Sequence, residues 1–329
     1  MRSRLGIVAS LLLCLSAAVA AQPYQPPRHT APPPIPGASP ADLQAHADAG
    51  MQIERSRSAA GELDEHRRLD AALKGLQPQR RGTVDAYVVS IALDSDPVFG
   101  REARAAGQVL ERRYAARGRS IVLAGTDGSA PSRLPRGTPA SLAVTLARIA
   151  ELMDKNEDVL VLYATGHGTP LGLYYNDADN GYGLVSPNRL AGMLDELGLT
   201  NRLIILSACY SGGFVPRLQS ATSVIVAAAA HDRTSFGCVA ENDWTFFGDA
   251  MVNHALRGTQ PLAAAFEEAS TLIMGWEAQL RFVPPSAPQL FLGIGAARWL
   301  GPLEQRLPPA TAPTGRPALE TTRATLQGR

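Results

Sequence analysis

VLVLYATGHG at residues 159–168 and RLIILSACYSGG at residues 202–213 decide how this chain folds. Each opens on an apolar run, Val159 to Tyr163 and Leu203 to Leu206, of the kind buried on both faces of a parallel sheet. Each run ends in small residues around one reactive side chain, His167 in the first and Cys209 in the second. The connection is long enough for a crossover helix, and a right-handed crossover sets the two strands side by side. His167 and Cys209 are then expected at one carboxyl edge of the sheet, where loops converge on a crevice. A thiol beside an imidazole becomes a nucleophile near neutral pH, because the base takes its proton or the imidazolium stabilises the thiolate. Gly166 and Gly168 let backbone approach a bound molecule, and Gly212 and Gly213 suit a tight turn beyond the thiol.

Outward from this pair, strands alternate with helices. Val84 to Leu93 reads as a first strand, and Asp94-Ser95-Asp96-Pro97 as the turn that bounds it. Ala103, Ala106, Val109, Leu110 and Tyr114 are spaced for the buried face of a helix from Phe99 to Ala116. Ile121 to Leu123 is a short strand, and Gly125 to Pro135 a surface loop. Thr138-Pro139 and Ser186-Pro187 each supply an N-cap followed by proline at the first helical position, opening helices to Met153 and Leu197. NDADNGYG, residues 176–183, lacks the regular oxygen ligands and terminal glutamate of a calcium loop and reads as turn sequence. Ser223 to Ala230 is a further buried strand, followed by a loop from His231 to Asp243. Helices from Trp244 to Leu256 and Pro261 to Trp276, then an edge strand from Gln289 to Ile294, complete the pattern. The expected architecture is α/β, a three-layer α/β/α sandwich on a mainly parallel sheet.

The ends are appendages to this domain, taken as residues 81–300. Residues 1–20 have a positive start, an apolar stretch and small residues at Ala18 and Ala20, the pattern of a cleaved signal peptide. The expected location is therefore secreted or periplasmic, without stable membrane association once the leader is removed. Residues 21–40 form a Pro-rich linker, and residues 41–80 a helical segment, either packed on the domain or released as a pro-segment. Residues 301–329 lack apolar periodicity and are expected to be disordered. With 31 basic and 30 acidic residues the chain has no basic surface of the kind that binds nucleic acid. His29, His46 and His66 lack partner spacing for a metal, and no metal or other cofactor is expected. Loss of the leader removes Cys14 and leaves Cys209 and Cys238. If Cys209 is a nucleophile, Cys238 is expected to be a small buried residue; a structural disulfide between the two is the rival reading.

Tyr163-Ala164-Thr165-Gly166-His167-Gly168 followed by Ser207-Ala208-Cys209-Tyr210-Ser211-Gly212-Gly213 resembles the paired signatures of legumain-type (C13) cysteine peptidases, relatives of caspases and gingipains. Thr234 to Cys238 and Thr245 to Asp249 resemble two later segments of that family, so the likeness runs from Val84 to Leu256. The resemblance implies a caspase-like fold and a Cys209/His167 dyad acting on protein or peptide substrates through a thioester. It also implies an oxyanion hole made by the backbone amides of Gly168 and Cys209. His231, after an apolar strand at the same expected edge, is the rival base, and His254 reads as packing or surface. The family's substrate pocket maps onto Asp249, with Ser207 where the family has Glu, Thr234 where it has Ser, and Arg101 near the position of its Arg. Asp177 and Asp179 have no geometric reason to join the dyad. A transamidase or ligase using the same dyad, and a non-catalytic scaffold, are the alternatives to a hydrolase. Apolar edge strands of this architecture pair between chains in caspases, and nothing in this sequence demands it.

Overall fold

The fold is built from the runs singled out above, and the computed structural model describes residues 39–125, 132–178 and 180–327. The leader and most of the Pro-rich linker, Asp179 and part of the 125–135 loop lie outside the described residues. In chain order the elements are α1 Pro40–Asp48, β1 Gln52–Glu54, α2 Ala59–Lys74, β2 Ala86–Ala92, α3 Pro97–Arg113, β3 Ser120–Leu123 and α4 Pro139–Leu152. Then follow β4 Val159–Thr165, β5 Gly168–Thr169, β6 Gly172–Asp177, β7 Gly181–Val185, α5 Pro187–Glu196, β8 Arg202–Ser207, α6 Val215–Leu218 and β9 Ser223–Ala227. A π-helical turn, Gly248–His254, precedes α7 Leu262–Leu280, β10 Gln289–Leu292, α8 Ala297–Glu304 and α9 Ala318–Gln327.

The main sheet has the order β10-β9-β8-β4-β2-β3, parallel throughout except for the antiparallel edge strand β10. Every residue of β2, β4, β8 and β9 is buried, as central strands covered on both faces must be. One face packs Val88, Val161, Ile205 and Val226 under α3, α7 and α8; the other packs Val89, Leu162, Ile204 and Ile225 under α4, α5 and α6. The strands' alternation therefore feeds two cores, which makes the architecture the expected three-layer sandwich. Both expected Pro-led helices carry their caps: Thr138 Oγ1 accepts from Ser141 N at 2.9 Å, and Ser186 Oγ from Arg189 N at 3.0 Å.

A second, antiparallel sheet of order β1-β7-β6-β5 grows from the loop that carries His167. Within the stretch rejected above as a calcium loop, Asn176 and Asp177 pair with Tyr182 and Gly181 in its central hairpin, while Asp179 lies outside the described residues. The segment before the domain is tied into this sheet. Gln52 to Glu54 pair with Gly181 to Gly183, and Arg57 reaches Asp177 at 3.0 Å.

Two expectations are corrected. The helix expected from Trp244 to Leu256 is a π-helical turn closed by a 3-10 turn at Ala255–Arg257. The tail after residue 300 is ordered: Leu303 and Ala318 are buried, and α9 returns to the domain. Its anchors are polar, which is why apolar periodicity missed them. Ala318 N donates to Asp249 Oδ2 at 2.8 Å, Thr314 O accepts from Trp244 Nε1 at 3.0 Å, and Thr322 Oγ1 accepts from Asn242 Nδ2 at 3.0 Å. Truncation after Pro317 should therefore destabilise the domain by about 1–3 kcal/mol, the cost of orphaning a partner of the buried Asp249 carboxylate. A lowered urea midpoint with no gain in activity is the expected result; activation at unchanged stability would mean that the tail is an inhibitory segment instead.

Candidate active site

Sheet register places the two reactive side chains. Thr165, the last residue of β4, pairs with Ser207, the last of β8, so His167 and Cys209 each stand two residues past the same rung. Ala92 of β2 also pairs with Thr165, which brings Asp94 and Asp96 to that edge. The loops touch: a Cβ built on Gly168 would lie 2.0 Å from the Cys209 carbonyl oxygen. A side chain at Gly168 would thus need the two loops to part. The residue that turns the chain after the thiol is Tyr210, at φ 57°, and not Gly212 or Gly213. Left-handed backbone at a tyrosine costs about 1 kcal/mol or more, held here by Tyr210 N donating to Arg233 O at 2.8 Å.

A narrow cleft is lined by both cysteines, His167, Phe99, Ser207, Ser235, Phe236 and Thr245. Cys209 is half-buried; its Sγ accepts from Ser235 N at 3.2 Å and faces Ser235 O at 3.5 Å. His167 Nε2 lies 3.1 Å from Asp96 Oδ2, and Phe99 meets the imidazole edge to face at 5.0 Å. Burial disfavours the imidazolium, but the hydrogen bond to Asp96, then contact with Cys238 and the charge of Asp94, hold its pKa up at about 11. Burial raises the Cys209 thiol above its ordinary value, Cys238 adds to this, and the His167 charge opposes it. At neutral pH the imidazole is therefore cationic and poised to give a proton.

Asp96, which local sequence presented only as a turn former, holds the His167 ring. The Asp96–His167 pair stabilises the fold fully below the unfolded histidine value of about 6.5 and ceases to do so as pH rises through about 11. Asp96→Asn should bring the imidazolium pKa down toward ~6.5. The check is an NMR titration of the His167 ring, alongside the alkaline limb of the pH profile for kcat/KM; a ring that still titrates near its parent value would assign the effect to Asp94. Asp94, Asp96 and His167 also present ligand atoms within 4.8 Å of one another, the grouping among the described residues that would accept a divalent cation. A cation there would remove the imidazole from proton transfer.

The other sequence candidates divide. Ser207 lies in the cavity floor, whereas Thr234 is exposed beside it. Asp249 is fully buried away from the cavity, bound by Asn253 Nδ2 at 2.8 Å, by Ala318 N at 2.8 Å, and facing His254 at 3.6 Å. Burial raises its carboxyl pKa against those hydrogen bonds. Arg101 is turned outward, donating to the carbonyls of Ala240 and Asn242 and pairing with Asp243 at 3.4 Å. Neither is a pocket residue here, because the tail and the 235–243 loop claim them. His231 is exposed, 4.0 Å from Asp232, and lies outside the cavity. Cys238, expected to be an inert packing residue, is a free, half-buried thiol in the cavity wall beside His167. The residue that sequence reading missed is Glu102, on α3 beneath the floor, fully buried.

A thiol and an imidazole at the carboxyl edge of an α/β/α sandwich form an arrangement able to carry nucleophilic acyl transfer. Comparison with known families is specific: the model of the Peptidase C13 family matches residues 141–290, the stretch that carries His167, Cys209 and the 235–249 loop. That stretch is similar to the C13 peptidase family over 150 of the 329 residues, and it contains the paired signatures that carry the sequence resemblance. Among solved structures, caspase-1 from Spodoptera frugiperda superposes with a TM-score of 0.43 at 13% identity, covering 66% of this chain and 93% of that chain. No curated protein matches the sequence.

Proposed function

We propose that the protein is a secreted or periplasmic cysteine endopeptidase that cleaves peptide bonds through Cys209 and His167. The observation that carries this reading is the shared rung, Thr165 against Ser207, beyond which thiol and imidazole project from adjacent strands. Location rests on the leader pattern of residues 1–20.

The protonation states order the steps. The Cys209 thiol gives its proton to solvent water, a loss made easier by the imidazolium, and the thiolate sulfur attacks the scissile carbonyl carbon. The carbonyl electron pair moves onto oxygen, where the amides of Gly168 and Cys209 stabilise it. As the C–N bond breaks, His167 donates its proton to the departing amine and a thioester remains. The now neutral imidazole takes a proton from water, which attacks the thioester carbonyl and frees Cys209 and the carboxylic acid.

Labelling of reduced protein with a small haloacetamide tests the reading. Alkylation of Cys209 that needs His167, together with hydrolysis of a peptide mixture, is expected. An unreactive Cys209 in both reduced and untreated protein would reduce the chain to a scaffold.

A further inference from the structure

We infer that the cavity beside Cys209 receives a cationic side chain, arginine before lysine, as the residue preceding the cut. The inference rests on the peptidase reading above and names its substrate class.

Its basis is the hydrogen-bond arithmetic of the floor. Glu102 is fully buried, and its Oε1 accepts from Tyr163 Oη at 2.6 Å, Thr165 Oγ1 at 2.8 Å and Ser207 Oγ at 2.8 Å. Oε2 accepts from Thr245 N at 2.6 Å. Ser207 and Thr245 separate this carboxylate from the cavity, with their hydroxyl oxygens 3.0 Å apart. A hydroxyl has one proton to give. That of Ser207 goes to Glu102, so the bond between the two hydroxyls uses the proton of Thr245. Thr245 Oγ1 in turn accepts from Gly248 N at 2.9 Å. Both floor hydroxyls have therefore spent their protons, and they offer the cavity lone pairs over a buried negative charge.

That surface discriminates among side chains. A guanidinium or ammonium group brings only donors and a positive charge, and meets every requirement. An asparagine or glutamine amide brings a carbonyl oxygen that needs a donor, and the floor has none to give. Arg101, which could have supplied one, is held by Ala240, Asn242 and Asp243. A carboxylate needs donors and is repelled. An aliphatic group leaves the lone pairs desolvated and unpaired. Phe99 and Phe236 in the cavity wall suit the flat guanidinium over the ammonium.

The test is a set of peptides identical except at the residue before the cut, assayed on the wild-type protein while Cys209 labelling is followed with a haloacetamide that carries no side chain of its own. Arginine should exceed asparagine in kcat/KM by at least ~10², with lysine between. Labelled enzyme that cuts best after asparagine, aspartate or an aliphatic residue would overturn the inference and leave the peptidase reading intact. Absence of both labelling and cleavage would sink the peptidase reading and take the inference with it. Glu102→Gln, nearly isosteric, should shrink the arginine-to-asparagine ratio about tenfold or more; where that variant fails to fold, the wild-type series decides alone.

Discussion

Replacing His167 with alanine should lower kcat/KM by about 10²–10⁴-fold, the span of a lost general acid and base. The same change should slow alkylation of Cys209 at neutral pH, because burial raises the thiol and the imidazolium charge, with the hydrogen bond from Ser235 N, opposes that rise. His231→Ala should leave both readouts within about twofold, since surface changes away from a site rarely matter. His231 is exposed and paired loosely with Asp232 at 4.0 Å. The comparison is made by pre-steady-state alkylation and by steady-state hydrolysis on the same preparations. A His231 effect equal to that of His167 would move the base to the other loop.

Gly168→Ala is the second large effect. The added methyl would stand 2.0 Å from the Cys209 carbonyl oxygen and 3.0 Å from its carbon, both backbone atoms that no side-chain rotation can clear. The loop must yield instead, carrying with it the neighbouring His167 and the Gly168 amide that is proposed to hold the oxyanion. A loss of about 10²–10³ in kcat is expected, as for removal of one oxyanion donor. Gly213→Ala is the control, because a Cβ there meets nothing within 4 Å. Equal losses in the two variants, or a Gly168→Ala enzyme of normal kcat, would mean that the contact has no part in turnover.

Much of this geometry was legible from local pattern. Apolar runs buried on both faces gave β2, β4, β8 and β9, and cap-plus-proline pairs opened α4 and α5 where expected. From those alone, His167 and Cys209 fall at one edge. What escaped was long-range and polar. Asp96 reads as a turn residue until the fold brings His167 to it from 71 residues away. Glu102 drew no reading in sequence, because its four partners come from β4, the end of β8 and the residue Thr245, up to 143 positions distant. Family likeness pointed to Asp249 as a pocket residue, and the polar anchors of the tail took it away. Apolar periodicity carries no record of such bonds, since a carboxylate in sequence looks the same whether it faces water or four donors.

The tail has a consequence in time as well as in space. Thr245, which forms half of the cavity floor, follows directly on Trp244, and Trp244, Asn242 and Asp249 are fastened by Thr314, Thr322 and Ala318. A chain emerges from the ribosome N-terminus first. His167 and Cys209 thus leave the ribosome with their strands more than a hundred residues before the last of these fasteners. The nascent chain carries its proposed nucleophile well before the residues that fasten the neighbours of Thr245, so the proposed selectivity floor is completed after the proposed nucleophile has been made.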